Sequence, residues 1–486
     1  MPNNSLIQLS GELFEAVQLK PCFNDSKYFV DMTPRKSPDE ILKEYENLKN
    51  SKDFDLKAFI EDNFYPPVTE KTFDSNQKIS LSQYIKQMWS FLHQSSDQQN
   101  SLSSLISLPK PYIIPGGRFR EVYYWDCYFT CEGLLREDGE IQMIKDIADN
   151  FAYLIDTVGF VPNANRKYYL TRSQPPLFYL IVNILYQELG ISAIDKYLTP
   201  LEKEYSYWMN TQRNVNGLNR YWDDSATPRP ESYREDIEHA QNIDDKPKFY
   251  RNIRAACESG WDFSSRWFAK EDDFNTIQTT DILPVDLNSY LYGLEHLLGK
   301  WFLETSNQEK ANKYFKLSEK RKELIQNRFW DNDKGFFYDL NHTTNRLTTI
   351  SSLAGVTPLF LNIATKEQAQ QVANMIENQF LTEHGLITTT THTSQQWDSP
   401  NGWAPLHFKA VIGLRNYGFD KLAEIIAKRF VNTVNQKFNE TGKIREKYDV
   451  IDPKTNAGGG EYIVQDGFGW TNGVTTSFIK MYNIKI

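Results

Sequence analysis

Apolar residues recur along this chain at helical spacing. Over residues 81–92, LSQYIKQMWSFL, they set Leu81, Ile85, Met88 and Leu92 on one stripe, which predicts an amphipathic helix. Residues 144–159, IKDIADNFAYLIDTVG, repeat the pattern with Ile144, Ile147, Phe151 and Leu154, and Gly159 supplies a stop. Residues 175–190, PPLFYLIVNILYQELG, open on prolines, close on Gly190 and are apolar all round between. Such a stretch predicts a helix buried on every side. Further helical segments are LNSYLYGLEHLLGKWF, PLHFKAVIGLRNYG and DKLAEIIAKRFVNTV. Strand signals are few and short, so the class is all-α.

Between the helices a loop pattern returns: a glycine, then within about a dozen residues an aromatic, often followed by Asp. Its glycines are Gly117, Gly159, Gly217, Gly260, Gly335, Gly385 and Gly442, spaced 42 to 75 residues apart. Two ordinary helices and two loops need about 40–60 residues. The chain therefore reads as helical hairpins whose polar-aromatic loops share one end, and about six hairpins closing on themselves make an (α/α)6 toroid. Residues 1–70 are polar and poorly periodic; they are expected to form an arm on a single catalytic domain spanning 71–486.

Composition narrows the function. A net charge of −9 argues against a dedicated nucleic-acid surface. No run of about 18 apolar residues exists to span a membrane. The opening MPNNSLIQLSGELFEAVQLKP lacks the basic and apolar regions of a signal peptide. The expected compartment is therefore the cytoplasm, with periplasm or secretion as the alternative if a leader was removed. Cys22, Cys127, Cys131 and Cys257 are too few to staple a chain of 486 residues, and Cys127 and Cys131 read as small buried apolar groups. No HExxH or paired CxxC occurs, so no metal site is expected. Aromatic content of 14%, with 11 Trp, is the departure that matters, because aromatic faces stack on the C–H surfaces of pyranoses.

Most clusters of arginine, carboxylate and tryptophan fall in the loops: PGGRFREVYYWDCYF (115–129), PNANRKYYLTRSQPP (162–176) and PRPESYRED (228–236), then ESGWDFSSRW (258–267), QQWDSPNGWAP (395–405), REKYD (445–449) and GGGEYIVQDGFGWTNG (458–473). One neutral sugar explains the mixture. Its hydroxyls both donate and accept, so charged and amide groups ring it while aromatics cover its faces. Each cluster also has a plainer reading. RPESYRED alone is a solvated ion pair, Trp in RWF or GWAP is core, and Asn472-Gly473 is a tight turn. Gly458-Gly459-Gly460 lacks the Lys-Ser/Thr of a phosphate loop and suits a flexible lid with Glu461 at its tip.

PGGRFREVYYWDCYF and QWDSPNGWAP resemble the two signature segments of the α,α-trehalases, the inverting glycoside hydrolases of family 37. RSQPP, RPES, ESGWDFSSRW, EKYD and GGGEY…QDGFGWTNG also match that family, in order, over roughly residues 110 to 475. The resemblance implies an (α/α)6 toroid, hydrolysis of trehalose to two glucose molecules, and no cofactor; apart from it, a monomer is expected. By motif position, Asp262 resembles the general acid and Glu446 the general base. Arg118, Trp125, Asp126, Asn163, Arg172, Gln174, Arg229, Glu231 and Gly260 fall where the family holds the first glucose, and Trp397 and Glu461 where it covers the second. His407 stands where Gln is common, a flanking departure.

Sequence context adds expectations about charge. Asp262 lies between Trp261 and Phe263, where desolvation favours the protonated acid. Glu446 lies between Arg445 and Lys447, which would favour a carboxylate able to activate water. Asp126, Glu231 and Glu461 are the carboxylates expected to balance Arg118, Arg172 and Arg229. An inverting pair is expected roughly 6.5–9.5 Å apart, a retaining pair about 5–5.5 Å. Two other functions fit the same residues: another inverting (α/α)6 α-glucosidase, or a sugar-binding protein without catalysis.

Overall fold

Twelve helices of the computed structural model alternate between an outer and an inner ring. The structure describes residues 6–20, 22–67, 79–137, 140–455 and 457–486. Four helices come first, α1 (Glu12–Leu19), α2 (Ser26–Asp31), α3 (Pro38–Leu48) and α4 (Leu56–Asn63). The rings then build in chain order, outer before inner: α5 (Leu81–Leu92) and α6 (Asp126–Leu134), then α7 (Ile141–Val158) and α8 (Phe178–Leu189). Outer α9 (Leu198–Trp208) is followed by an insertion carrying α10 (Tyr233–His239) and α11 (Lys246–Glu258), and then by inner α12 (Val285–Glu304). The last three pairs are α13 (Gln308–Arg328) with α14 (Thr357–Phe360), α15 (Lys366–Met375) with α16 (Ala404–Asn416), and α17 (Asp420–Thr441) with α18 (Gly469–Tyr482).

The inner ring closes because α6 packs on both α8 and α18, α16 on α14 and α18, and α12 on α14. Tyr179 of α8 reaches Gly293 of α12 and completes the circle. Outer helices pack on the inner ones, α13 on α12 and α17 on α16 and α18. The fold is an (α/α)6 toroid. The burial pattern follows: α6 and α16 are buried along almost their whole length, whereas α5 buries only the stripe that includes Leu81, Ile85, Met88 and Leu92. α8 corrects one expectation, since it is buried along most of its length but its last turn reaches solvent at Leu189. No helix among the described residues is long and apolar enough to cross a membrane.

All seven pattern glycines have positive φ. Six of them follow outer helices, where a residue without Cβ ends the helix or turns a hairpin. The insertion between α9 and α12 holds both Gly217 and Gly260, which is why seven glycines serve six hairpins at uneven spacing. Inner-to-outer connections are short, such as 305–307 and 417–419, whereas outer-to-inner loops are long and gather at the N-terminal ends of the inner helices. That end carries the site.

One more expectation needs correction. Asn472 and Gly473 form no turn; they lie inside α18, and Gly473 meets the Phe129 carbonyl of α6 so closely that a Cβ would sit 2.2 Å from its oxygen. The N-terminal segment builds four short helices. α1 to α4 share an apolar cluster that includes Leu13, Phe29, Ile41 and Phe59 and continues onto Tyr123, Ala164, Tyr168 and Tyr169. The apolar positions are spread over four short helices, which weakens their pattern in the sequence. The expected boundary at residues 70 and 71 lies outside the described residues.

Candidate active site

Five outer-to-inner loops deliver side chains to one cavity. The loop from α5 brings Arg118 and Trp125, with Asp126 opening α6. Those from α7 and α9 bring Asn163, Arg172 and Gln174, then Arg229, Glu231, Gly260 and Asp262. Trp397 arrives from the α15 loop, and Glu446 and Glu461 from the α17 loop. All thirteen residues singled out in the sequence therefore meet in one place. Their positions follow from local chemistry. Gly260 turns the chain after α11 at φ 76°, and a Cβ there would strike the Trp125 indole at 2.8 Å. The chain can pass that ring only as glycine, and Asp262 follows immediately.

Beneath Asp262 the loop is pinned by a buried carboxylate. Asp398 accepts from Ser264 Oγ at 2.8 Å, Ser265 N at 2.8 Å, Thr389 Oγ1 at 3.0 Å and Thr393 Oγ1 at 2.6 Å. Arg266 is clamped between Asp286 at 2.8 Å and Asp339 at 2.7 Å. Asp398 of the second signature thus serves the loop and lies outside the cavity lining.

The arginines are held by carboxylates. Arg172 Nη2 donates to Glu231 at 2.7 Å and Nε to Asn163 at 2.8 Å. Arg229 Nη2 donates to Asp236 at 2.6 Å and to Glu461 at 2.7 Å. RPESYRED is therefore no solvated pair, since Arg229, Glu231 and Asp236 are all buried. Although burial opposes it, the guanidiniums of Arg172, Arg229 and Arg254 hold the Glu231 carboxyl below its usual range. Asp126 does not pair with an arginine as expected. Arg118 Nη2 instead donates to Asp25 of the N-terminal segment at 2.6 Å, and burial, with help from Glu446 and Asp262, pushes the Asp126 carboxyl well up.

Burial, reinforced by Glu461 and opposed by Arg229 and Arg172, pushes the Asp262 carboxyl up to about 7. Glu446 departs from the expectation of an ordinary carboxylate. Its pKa is also raised, because burial outweighs the pull of Lys447. Arg445 gives no direct help, since its Nε pairs with Asp466 at 3.0 Å. Both Glu446 carboxylate oxygens lack a hydrogen-bond partner among the described residues, which leaves their lone pairs open.

Indole faces form the opposite wall. Trp397 stacks on Trp403 at 3.9 Å and on Trp261 at 5.3 Å, and Trp470 meets Trp403 edge-on at 5.6 Å. Trp267 is core, as expected, whereas Trp403 is both core and cavity wall.

A model of the family described as "Trehalase" matches residues 21–483. The chain belongs to the Trehalase family. This trehalase-family chain is 43% identical to the periplasmic trehalase of Pseudomonas aeruginosa, over 97% of its own length and 89% of that protein's. It is 41% identical to the periplasmic trehalase of Citrobacter koseri, over 97% and 86%. Its fold is similar to that of the neutral trehalase of Saccharomyces cerevisiae, with a TM-score of 0.66 at 25% identity over 83% of this chain and 80% of that one. The mannosylglycerate hydrolase of Thermus thermophilus shares the fold alone, with a TM-score of 0.55 at 15% identity over 82% and 99%.

The cavity of this family member has contributors that sequence reading missed. Lys27 comes from α2, buried and paired with Asp31 and, at 2.8 Å, with Glu121. Tyr123, Tyr169, Cys257, Tyr462, Phe468 and Trp470 complete much of the lining. Phe468 and Trp470 stand in the quoted FGW stretch and were visible as an aromatic cluster. Lys27 gave no signal of a cavity role, because its near partner Asp31 reads as an ordinary helical ion pair and Glu121 is far away in sequence.

Proposed function

We propose that this trehalase-family chain hydrolyses α,α-trehalose to two glucose molecules by single displacement with inversion. The supporting observation is that Asp262 and Glu446, from separate loops, line one buried cavity in which the first is pushed toward its protonated form and the second keeps both oxygens open. Asn163, Arg172, Gln174, Arg229, Glu231 and Asp126 hold the first glucose through its hydroxyls, with Trp125 and Gly260 closing its face. Arg118 completes that ring. Trp397 and Glu461 cover the second glucose, and the 458–468 loop closes over both.

Asp262 gives its proton to the glycosidic oxygen as the bond to the first anomeric carbon breaks. Glu446 takes a proton from a water that attacks that carbon on its opposite face. Charge develops on an oxocarbenium-like ring lined by carboxylates and shielded from solvent by indoles. Inversion then yields one α-glucose and one β-glucose before mutarotation. Proton NMR of a fresh reaction tests this; equal early α and β signals support it, and α-glucose alone means retention. Asp262→Asn and Glu446→Gln should each lose about 10²–10⁴-fold in kcat. Cleavage of maltose or kojibiose in preference to trehalose would make the protein a different α-glucosidase. Binding of trehalose without glucose release would leave a sugar-binding protein.

The relatives' names favour the periplasm over the cytoplasm expected from the N-terminal residues. Activity released by osmotic shock of the native cells supports that compartment; activity confined to the spheroplast lysate returns it to the cytoplasm.

A further inference from the structure

Lys447 is wholly buried beside Glu446, yet it does not form a close ion pair with it. Its Nζ lies 3.9 Å from Glu446 Oε1, beyond a good hydrogen bond. It donates instead to two neutral acceptors, Gln396 Oε1 at 2.7 Å and the Gly459 carbonyl at 3.2 Å. Its charge also lies over the Trp403 ring at 5.2 Å. Gln396 is itself a link, because its Nε2 donates to the Asp262 carbonyl. Gly459 belongs to the glycine run expected to close over the sugar. It packs so tightly on residues 394–396 that a Cβ would sit 2.5 Å from the Ser394 carbonyl oxygen. The neighbouring Gly458 carbonyl accepts from Asn401 Nδ2 at 2.9 Å.

A buried ammonium tied to neutral acceptors leaves its charge to act through space. A direct salt bridge would occupy the Glu446 oxygen that a nucleophilic water needs. Held back by Gln396 and Gly459, the ammonium favours the carboxylate without capping it. We propose that Lys447 is a positioning residue for the base: it favours the Glu446 carboxylate at arm's length, against the burial that opposes it, and only while the glycine loop is seated and Gln396 spans to the Asp262 peptide. The device rests on Glu446 being the general base, and it couples loop closure to the readiness of that base.

Glu446 is faced by several other groups. Arg118 assists its ionisation, and Asp262 opposes it. Asp126 and Tyr462 are also near enough to couple with it electrostatically. Lys447 is the strongest opposing charge, so its removal should raise the pH at which Glu446 ionises. Activity needs Glu446 charged, so the low-pH limb of the kcat profile should move upward.

The test is the pH profile of trehalose hydrolysis by Lys447→Met, which keeps the volume and removes the charge. Its low-pH limb should move up by about one pH unit or more, with kcat at neutral pH about 10-fold or more lower and KM for trehalose within about 3-fold of the parent. Gln396→Met retains the lysine but frees it to bridge Glu446, and should lower kcat while moving the limb downward instead. It also serves if Lys447→Met fails to fold. Unmoved limbs in the folded variants, or a KM change with kcat intact, overturn the proposal and leave Lys447 a structural tie. Glu446→Gln, run alongside, separates the two levels. If it stays active, the general-base role itself is wrong; if it is inactive while the limbs stay put, only the role of Lys447 falls.

Discussion

Single residues here carry charge states that local context misjudges. Asp262 and Glu446 have opposite kinds of neighbour in sequence, two rings against two cations, yet both carboxyls are pushed upward because the same dry cavity surrounds them. Lys447 is close enough to matter but does not win, and Arg445 is turned to Asp466. The raised acid has a consequence for stability. With a folded pKa near 7 against an ordinary value near 3.8, the native state holds a proton that the unfolded chain releases between those two pH values. Stability linked to Asp262 is therefore full at low pH and declines as pH rises toward 7, by up to about 4 kcal/mol for a shift of that size. Asp262→Asn removes that decline. Its Tm should exceed the parent's at pH 8, and the gain should vanish near pH 4, as differential scanning calorimetry can read. A Tm gain of equal size at both pH values would mean that burial of the charge is not its source.

At the scale of the element, glycine does two different jobs. The loop glycines that mark each hairpin were legible because turns demand the left-handed region, and Gly260 adds a close approach to Trp125. Inside helices the demand is packing. Gly133 of α6 and Gly473 of α18 touch across the seam where the first and last inner helices meet, and a Cβ on Gly133 would sit 2.3 Å from the Gly473 Cα. Helical glycine lowers propensity, so these two helices carry a weak signal in sequence and Asn472-Gly473 of α18 reads there as a turn. Gly473→Ala should force the seam apart, since the atom in its way is a backbone carbonyl that cannot swing aside. A loss of about 1–3 kcal/mol or more is expected, seen as a lower denaturation midpoint at unchanged helical content. The same substitution at Gly442, with no atom within 4 Å of the added carbon, meets only backbone strain and should cost less.

For the whole molecule, the N-terminal segment shares an apolar cluster with the toroid and also supplies part of the cavity wall. Lys27 reaches the cavity, Asp25 holds Arg118, and Gln18 Nε2 donates to the Pro230 carbonyl beside Arg229. Asp25→Ala should leave Arg118 unrestrained and raise KM for trehalose by about 3–10-fold with a smaller change in kcat, which steady-state kinetics measures. An unchanged KM would mean that Tyr462, which stacks under the Arg118 guanidinium at 4.8 Å, holds it alone. The helical class, the ring of hairpins and the loops at one end were readable from order and spacing along the chain, and the thirteen cavity residues from the resemblance of their motifs to the family's. They depend on periodicity, turn chemistry and motif, which are local or collinear properties. The partners of the arginines, the protonation of Glu446, the place of Lys27 and the closure of α6 on α18 were not readable. Each depends on distances between segments far apart in the chain and on water excluded by all of them together, and only folding sets those.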